Sequence, residues 1–175
     1  MRLVLVRHAE ASRGKGITDD GLTDAGRAQV RRLARYLRAT GELEDCRVLL
    51  SSPLRRANET ATLLRTKLQL PEICIDPDLA EIGEHADAPE EGVTEGFARV
   101  RALMDAMAAQ YRDRTVVAVT HAGVIMASVR VRFDIPTPGT GARLEPTHVS
   151  LTTWRVIDRL WQLDSYNVPP LPDDA

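Results

Sequence analysis

The sequence predicts an α/β protein: a three-layer sandwich with a mostly parallel central sheet, helices on both faces and a C-terminal antiparallel hairpin. Three observations carry this expectation. Short runs rich in valine and leucine alternate with segments whose apolar residues recur at helical spacing, the order expected of βαβ units. The apolar runs lack a polar alternation, as befits strands covered on both faces. The chain has 175 residues, 43% hydrophobic and 27% charged, with no internal repeat or low-complexity stretch. That is enough for one core without staples. Residues 1–167 are expected to form a single domain. Residues 168–175, with three prolines and two aspartates, are expected to form a loose tail.

Taken in order, residues 2–6 (RLVLV) form a short buried strand. A helix is expected over 23–40, with Thr23 as N-cap and Val30, Leu33, Ala34 and Leu37 on one face. Gly41 can end it in the left-handed conformation. Residues 46–50 (CRVLL) form the second strand. A helix starts from Pro53 and carries the stripe Leu54, Ala57, Ala61, Leu64 and Leu68. A third strand is expected at 72–76. Residues 82–96 are acidic and glycine-rich, and read as a surface loop with a lid as the other option. A helix over about 94–112 turns Phe97, Val100, Met104, Met107 and Tyr111 inward. Residues 115–120 (TVVAVT) are the strongest strand and run into a helix at about 122–133. After a Pro/Gly-rich turn, 148–156 and 159–166 form a hairpin around Asp158, with Trp154 and Trp161 as packing residues.

Charge narrows the function classes. The 23 basic and 25 acidic side chains leave a formal charge of −2. No overall field draws the chain to nucleic acid or an anionic membrane, so an anion site must be local. Cys46 and Cys74 stand far apart and without CxxC spacing. They suit a reducing compartment and suggest neither a disulfide framework nor a structural zinc. The N-terminal apolar run is too short for a signal sequence or a membrane span, so the expected location is the cytoplasm.

Ligands of parallel α/β sheets bind beyond the carboxyl ends of the strands. The first strand ends in Arg7-His8, the second in Ser51-Ser52-Pro53-Leu54-Arg55-Arg56, and the fourth in Thr120-His121-Ala122-Gly123. The third is followed by Leu79-Ala80-Glu81. Two histidines, two arginines and a carboxylate should therefore converge. Arginine grips phosphate with two parallel hydrogen bonds and keeps its charge. The helix from Ala122 aims its first N–H groups at the same place. His8, His121 and Glu81 could instead ligate a metal. Against this, Arg7 and Arg56 would put positive charge beside it. Two unit charges about 5 Å apart repel by a few kcal/mol at an effective dielectric of about 20, and a divalent ion doubles that. No metal and no cofactor are expected. The remaining option is a neutral imidazole that attacks phosphorus, its second ring nitrogen tied to an acceptor.

At these positions the chain resembles the histidine phosphatase superfamily, which includes the cofactor-dependent phosphoglycerate mutases. Arg7-His8-Ala9-Glu10 is similar to its R-H-G-[ED] signature, and Leu22-Thr23-Asp24-Ala25-Gly26-Arg27-Ala28-Gln29 to L-T-x-x-G-x-x-Q. Ser51 to Ala61 is similar to S-S-P-L-x-R-A-x-x-T-A. Leu79-Ala80-Glu81 resembles L-x-E, and Val119-Thr120-His121-Ala122-Gly123 resembles V-x-H-G-G. The likeness spans roughly residues 2–155. It implies that His8 is the nucleophile and that Arg7, Arg56 and His121 hold the phosphoryl oxygens. It also implies that Glu81 is general acid and then general base, with Glu84 the other carboxylate within reach. The implied function is phosphomonoester hydrolysis on a small phosphorylated substrate. The alternatives are a mutase-type phosphotransferase, a SixA-like phosphohistidine protein phosphatase, and an inactive phospho-ligand binding module.

Departures refine this expectation. Ala9 and Ala122 stand where the family has glycine, so both must take negative φ or bear strain. Glu10-Ala11-Ser12 replaces the E-[TS] pairing of the mutases, and the short stretch from Glu81 to His121 leaves little room for a capping insertion. Both favour a small phosphatase. Ser12, Arg13 and Lys15 either line the entrance or form an exposed basic loop, and Arg55 is a solvated charge. Met104 and Met107 belong to the core. His85 and His148 are expected on the surface or the hairpin, with no role in the site.

Overall fold

A computed structural model describes residues 1–13, 19–87, 90–136 and 144–170. The main sheet has six strands in the order β5-β4-β6-β1-β7-β8. These are β1 (Arg2–Arg7), β4 (Cys46–Ser51), β5 (Ile73–Ile75), β6 (Thr115–Thr120), β7 (Leu151–Ile157) and β8 (Leu160–Val168). A short pair, β2 (Ala11–Arg13) and β3 (Asp19–Leu22), forms a second sheet that the sequence did not announce. Strands this short carry no readable period.

Strands β5, β4, β6 and β1 pair in parallel, while β7 is antiparallel to both β1 and β8. The β7–β8 turn lies at Asp158-Arg159, both with positive φ, the geometry that matches the twist of a two-residue hairpin. Alternate residues of β1 serve two cores. Val4 and Val6 pack with Val30, Leu33 and Leu37 of α1 (Asp24–Thr40) and with Leu64 of α2 (Arg55–Leu68). Leu3 and Leu5 face Val100, Met104 and Met107 of α3 (Val93–Gln110) and Ile125 of α4 (Ala122–Arg132). Trp154 is buried in this second core, its indole N–H donating to Ser128 Oγ at 3.2 Å. The expected three layers are therefore present.

Some boundaries differ from expectation. Helix α2 starts at Arg55, because Ser52 Oγ accepts from Leu54 N–H at 3.2 Å and turns the chain first. Gly41, with φ of 66°, does cap α1. Val168, placed in the tail by sequence, is the last residue of β8, and residues 171–175 lie outside those described. Lys15 and, of the turn expected at 136–141, residues 137–141 also lie outside them.

The loop after β1 is held by the start of α1 and by α2. Thr23 Oγ1 accepts from Gly26 N–H at 2.9 Å and donates to Glu10 Oε1 at 2.7 Å. Glu59 accepts from Leu22 N–H at 3.0 Å and pairs with Arg27 and Arg55, which fixes β3 on α2. Gly26 has no alternative, since a Cβ there would lie 2.0 Å from the Glu10 carbonyl oxygen. Overpacking of backbone costs about 1–3 kcal/mol, and at this size each kcal/mol moves Tm by about 2–4 °C. Gly26→Ala should therefore lower Tm by several degrees in a thermal melt. An unchanged melt would mean that the Glu10 loop does not pack as described.

Candidate active site

The tips of the central strands are bonded to one another beyond their ladders. His8 N–H donates to Thr120 O at 2.9 Å, and Ser52 N–H to Val119 O at 3.0 Å. Parallel register, with Arg7 opposite Thr120 and Ser51 opposite Val119, thus brings the residues that follow three strands to one edge.

His8 is buried there. Its Nδ1 lies 2.8 Å from the Ala9 carbonyl oxygen, which can only accept. Nδ1 therefore carries the proton and Nε2 the lone pair. Arg56 Nε–H points at that lone pair from 3.3 Å. Burial, followed by the charges of Arg56 and Arg7 and by His148, pushes the imidazole down from 6.5 to about 3, while the Ala9 bond pulls the other way. The ring is neutral at physiological pH.

His121 is the N-cap residue of α4 and is completely buried, its ring centroid 5.1 Å from that of His8. Burial, reinforced by His8 and Arg56, holds it well below the usual histidine range. Its Nε2 is 2.8 Å from Ser52 Oγ. That oxygen already accepts from Leu54 N–H, so its own proton is free to go to Nε2. In that tautomer Nδ1 is the N–H, and it has no partner among the described residues. A buried unpartnered donor beside His8 is a ready contact for an anion's oxygen.

Arg56 sits in the first turn of α2 and is almost fully buried. Besides His8, it donates through Nη2 to Glu84 Oε2 at 3.0 Å. Arg7 donates through Nη1 to the Pro146 carbonyl and lies 3.8 Å from Glu145. Glu81 accepts from Ile82 N–H at 2.9 Å and from Gly123 N–H at 3.2 Å. Burial raises its pKa, against the pull of these two bonds and of Arg56. Its position explains Gly123, where a Cβ would lie 2.2 Å from Glu81 Oε1. Gly123 N–H is thus taken, while Ala122 N–H of the same turn has no acceptor among the described residues. Ala9 and Ala122 both have negative φ, so replacing the family's glycines brings no left-handed strain.

Three expectations need correction. His148 is not remote: its ring centroid is 5.5 Å from that of His8. The antiparallel register, with Val6 opposite Leu151, forces residues just before β7 to this edge. His85 is not a surface residue. It is buried, with Nδ1 accepting from Asp87 N–H at 3.2 Å and Nε2 3.4 Å from Asp78 Oδ1. Nor are residues 82–96 simply a solvated acidic run. Glu91 is buried in a two-bond pair with Arg99, each 2.7 Å, and Glu84 rests on Arg56. Residues 88–89 lie outside those described. Among the described residues, no three His, Cys, Asp or Glu side chains are grouped to hold a metal ion.

Neutral imidazoles and guanidinium groups at the carboxyl ends of a parallel sheet define a class of α/β protein suited to a compact anion. The chain belongs to the histidine phosphatase superfamily (branch 1), whose family model matches residues 3–86 and 83–169. Among solved structures it is similar to a mycobacterial glucosyl-3-phosphoglycerate phosphatase in complex with inorganic phosphate. Identity is 27% over 97% of this chain and 98% of that one, with a TM-score of 0.73. YhfR of Bacillus stearothermophilus shares the fold at 22% identity over 95% and 96% of the chains, with a TM-score of 0.78. A phosphoserine phosphatase of Entamoeba histolytica shares it at 18% identity over 95% and 96%, with a TM-score of 0.72. No curated protein matches by sequence. No described helix is long and apolar enough to cross a membrane.

The depressed imidazoles make stability depend on pH. As pH falls below about 6.5, the unfolded chain binds protons that folded His8 and His121 refuse, so stability falls toward lower pH. Glu81, held above its ordinary value, works in the opposite sense. Each refused proton costs about 1.4 kcal/mol per pH unit. Urea unfolding of wild type and His8→Ala between about pH 5.5 and 4 should differ in slope by about that amount, the variant being flatter. Parallel slopes would show that His8 is free to protonate in the folded protein.

Proposed function

We propose that the protein is a phosphomonoester hydrolase working through a phosphohistidine on His8. Nε2 of His8 attacks phosphorus and the ester P–O bond breaks. Glu81, protonated, gives its proton to the leaving alkoxide. Water then attacks the phosphohistidine, Glu81 takes the water's proton, and phosphate leaves with His8 neutral again. Arg7, Arg56, the His121 Nδ1–H and the Ala122 N–H bind the phosphoryl oxygens, where charge spreads in the transition state.

The observation that carries this reading is the His8 ring itself: buried, Nδ1–H committed to Ala9, and Nε2 offering its lone pair beside a guanidinium. The raised pKa of Glu81 supports its part as an acid near neutral pH. Glu84, already paired with Arg56, is the weaker candidate. The guanidinium groups supply the positive charge, so the reaction is expected to run without metal and to survive a chelator. The mycobacterial neighbour that binds inorganic phosphate supports a small phosphorylated substrate. Free Cys46 and Cys74 fit the cytoplasm. Residues 1–168, with Val168 closing β8, act as one domain.

His8→Ala should abolish turnover of p-nitrophenyl phosphate. Glu81→Gln should lose about 10²–10⁴-fold in kcat on alkyl phosphates, the usual worth of general acid catalysis. On the nitrophenyl ester, whose leaving group needs little protonation, it should lose far less in the same step. Equal losses would remove Glu81 from the acid role. With a phosphoglycerate the product should be free phosphate; an isomerised ester would make the protein a mutase.

A further inference from the structure

A third imidazole stands at the site. His148 is half-buried in the loop before β7, and its ring is 5.5 Å from His8 at an interplanar angle of 51°. His121 stands at nearly the same remove, 5.1 Å, so the nucleophilic ring has two imidazole neighbours at similar distances.

Three independent features specify this placement. The main chain around His148 is bonded to β1: Val149 N–H donates to Arg7 O at 3.1 Å, and Arg7 N–H to Ser150 O at 3.2 Å. The Arg7 guanidinium donates to the Pro146 carbonyl of the same loop. Next to His148, Val149 takes φ of 55°, a left-handed conformation that is a real outlier for a β-branched residue. Such strain persists only where the surroundings impose it, and it gathers at ligand and catalytic sites. Finally, no hydrogen bond ties either ring nitrogen of His148 to a described residue, so neither is committed to the protein. His85, whose Nδ1 accepts from Asp87 N–H at 3.2 Å, is the contrast within the same molecule.

Building on the phosphatase reading, we propose that His148 contacts the substrate, its imidazole donating an N–H hydrogen bond to a phosphoryl oxygen of the ester and of the phosphohistidine. The groups facing the ring are His8, Arg7 and Glu10. Burial and Arg7 favour its neutral form, with Glu10 pulling the other way, so it enters as an uncharged donor. A bound phosphoryl dianion draws its N–H inward and raises its affinity for protons. His148 thereby adds a donor that adjusts to the charge present, where the guanidinium groups are fixed.

The test uses inorganic phosphate as probe and the intact chain. Histidine resonances of wild type are followed by NMR during a phosphate titration, and phosphate affinity, kcat and KM for p-nitrophenyl phosphate are measured for His148→Ala and His148→Asn. The His148 signals should move with phosphate and its pKa should rise, while His85 stays unmoved. His148→Ala should weaken phosphate binding and lower kcat/KM by about tenfold or more, the usual order for losing one polar contact to a charged group. His148→Asn, which keeps a neutral N–H donor, should recover most of both. If His148→Ala does not fold, His148→Asn and the wild-type titration still decide. Active wild type with unmoved His148 signals, or an alanine variant equal to wild type, overturns this inference alone. A wild type that neither binds phosphate nor hydrolyses esters overturns the phosphatase reading and this inference with it. An asparagine variant as impaired as alanine, with a lowered melt in both, reduces His148 to a packing role.

Discussion

The hydrogen bond from His8 Nδ1–H to the Ala9 carbonyl is the constraint on which the rest depends. It decides which nitrogen keeps a lone pair, and burial beside Arg56 decides that the ring stays neutral. One side chain keeps the two halves of this arrangement in step. Thr60 Oγ1 accepts from Ala9 N–H at 3.1 Å and donates to Arg56 O at 2.7 Å. The backbone that fixes the His8 tautomer and the helix turn that carries Arg56 therefore move together. A threonine deep in α2 thus serves the site without reaching it.

The electrostatics follow from that choice. A buried pocket holding Arg7 and Arg56 cannot also hold charged imidazoles, so His8 and His121 are depressed by desolvation and by each other's neighbours. Positive charge is left to the guanidinium groups, and carboxylates answer it: Glu84 on Arg56 and Glu145 near Arg7. An arriving anion would replace protein carboxylates at guanidinium groups that are already positioned, which reduces the reorganisation that binding requires.

Much of this was legible in the sequence. Alternating Val/Leu runs and helical stripes placed the layers, and strand ends carrying Arg7-His8, Ser51-Ser52 and Thr120-His121 announced that these residues would meet. What escaped depends on partners distant in the chain. The β2–β3 pair is too short for a period and is held by Glu59 from another helix. His148 reaches the site through an antiparallel register and a strained Val149, neither of which has a local signature. Glu91 reads as one more acidic residue until Arg99, on the next helix, is seen to bury it. Charge runs say nothing about pairing.

The most direct test of the central claim is the protonation state of His8 itself. Nitrogen-15 NMR of the imidazole across about pH 5 to 8, assigned through loss of the signals in His8→Ala, reports charge and tautomer together. A neutral ring with its proton on Nδ1 throughout that range is the result predicted here. An imidazolium forming near pH 6.5, or a neutral ring with its proton on Nε2, would contradict it.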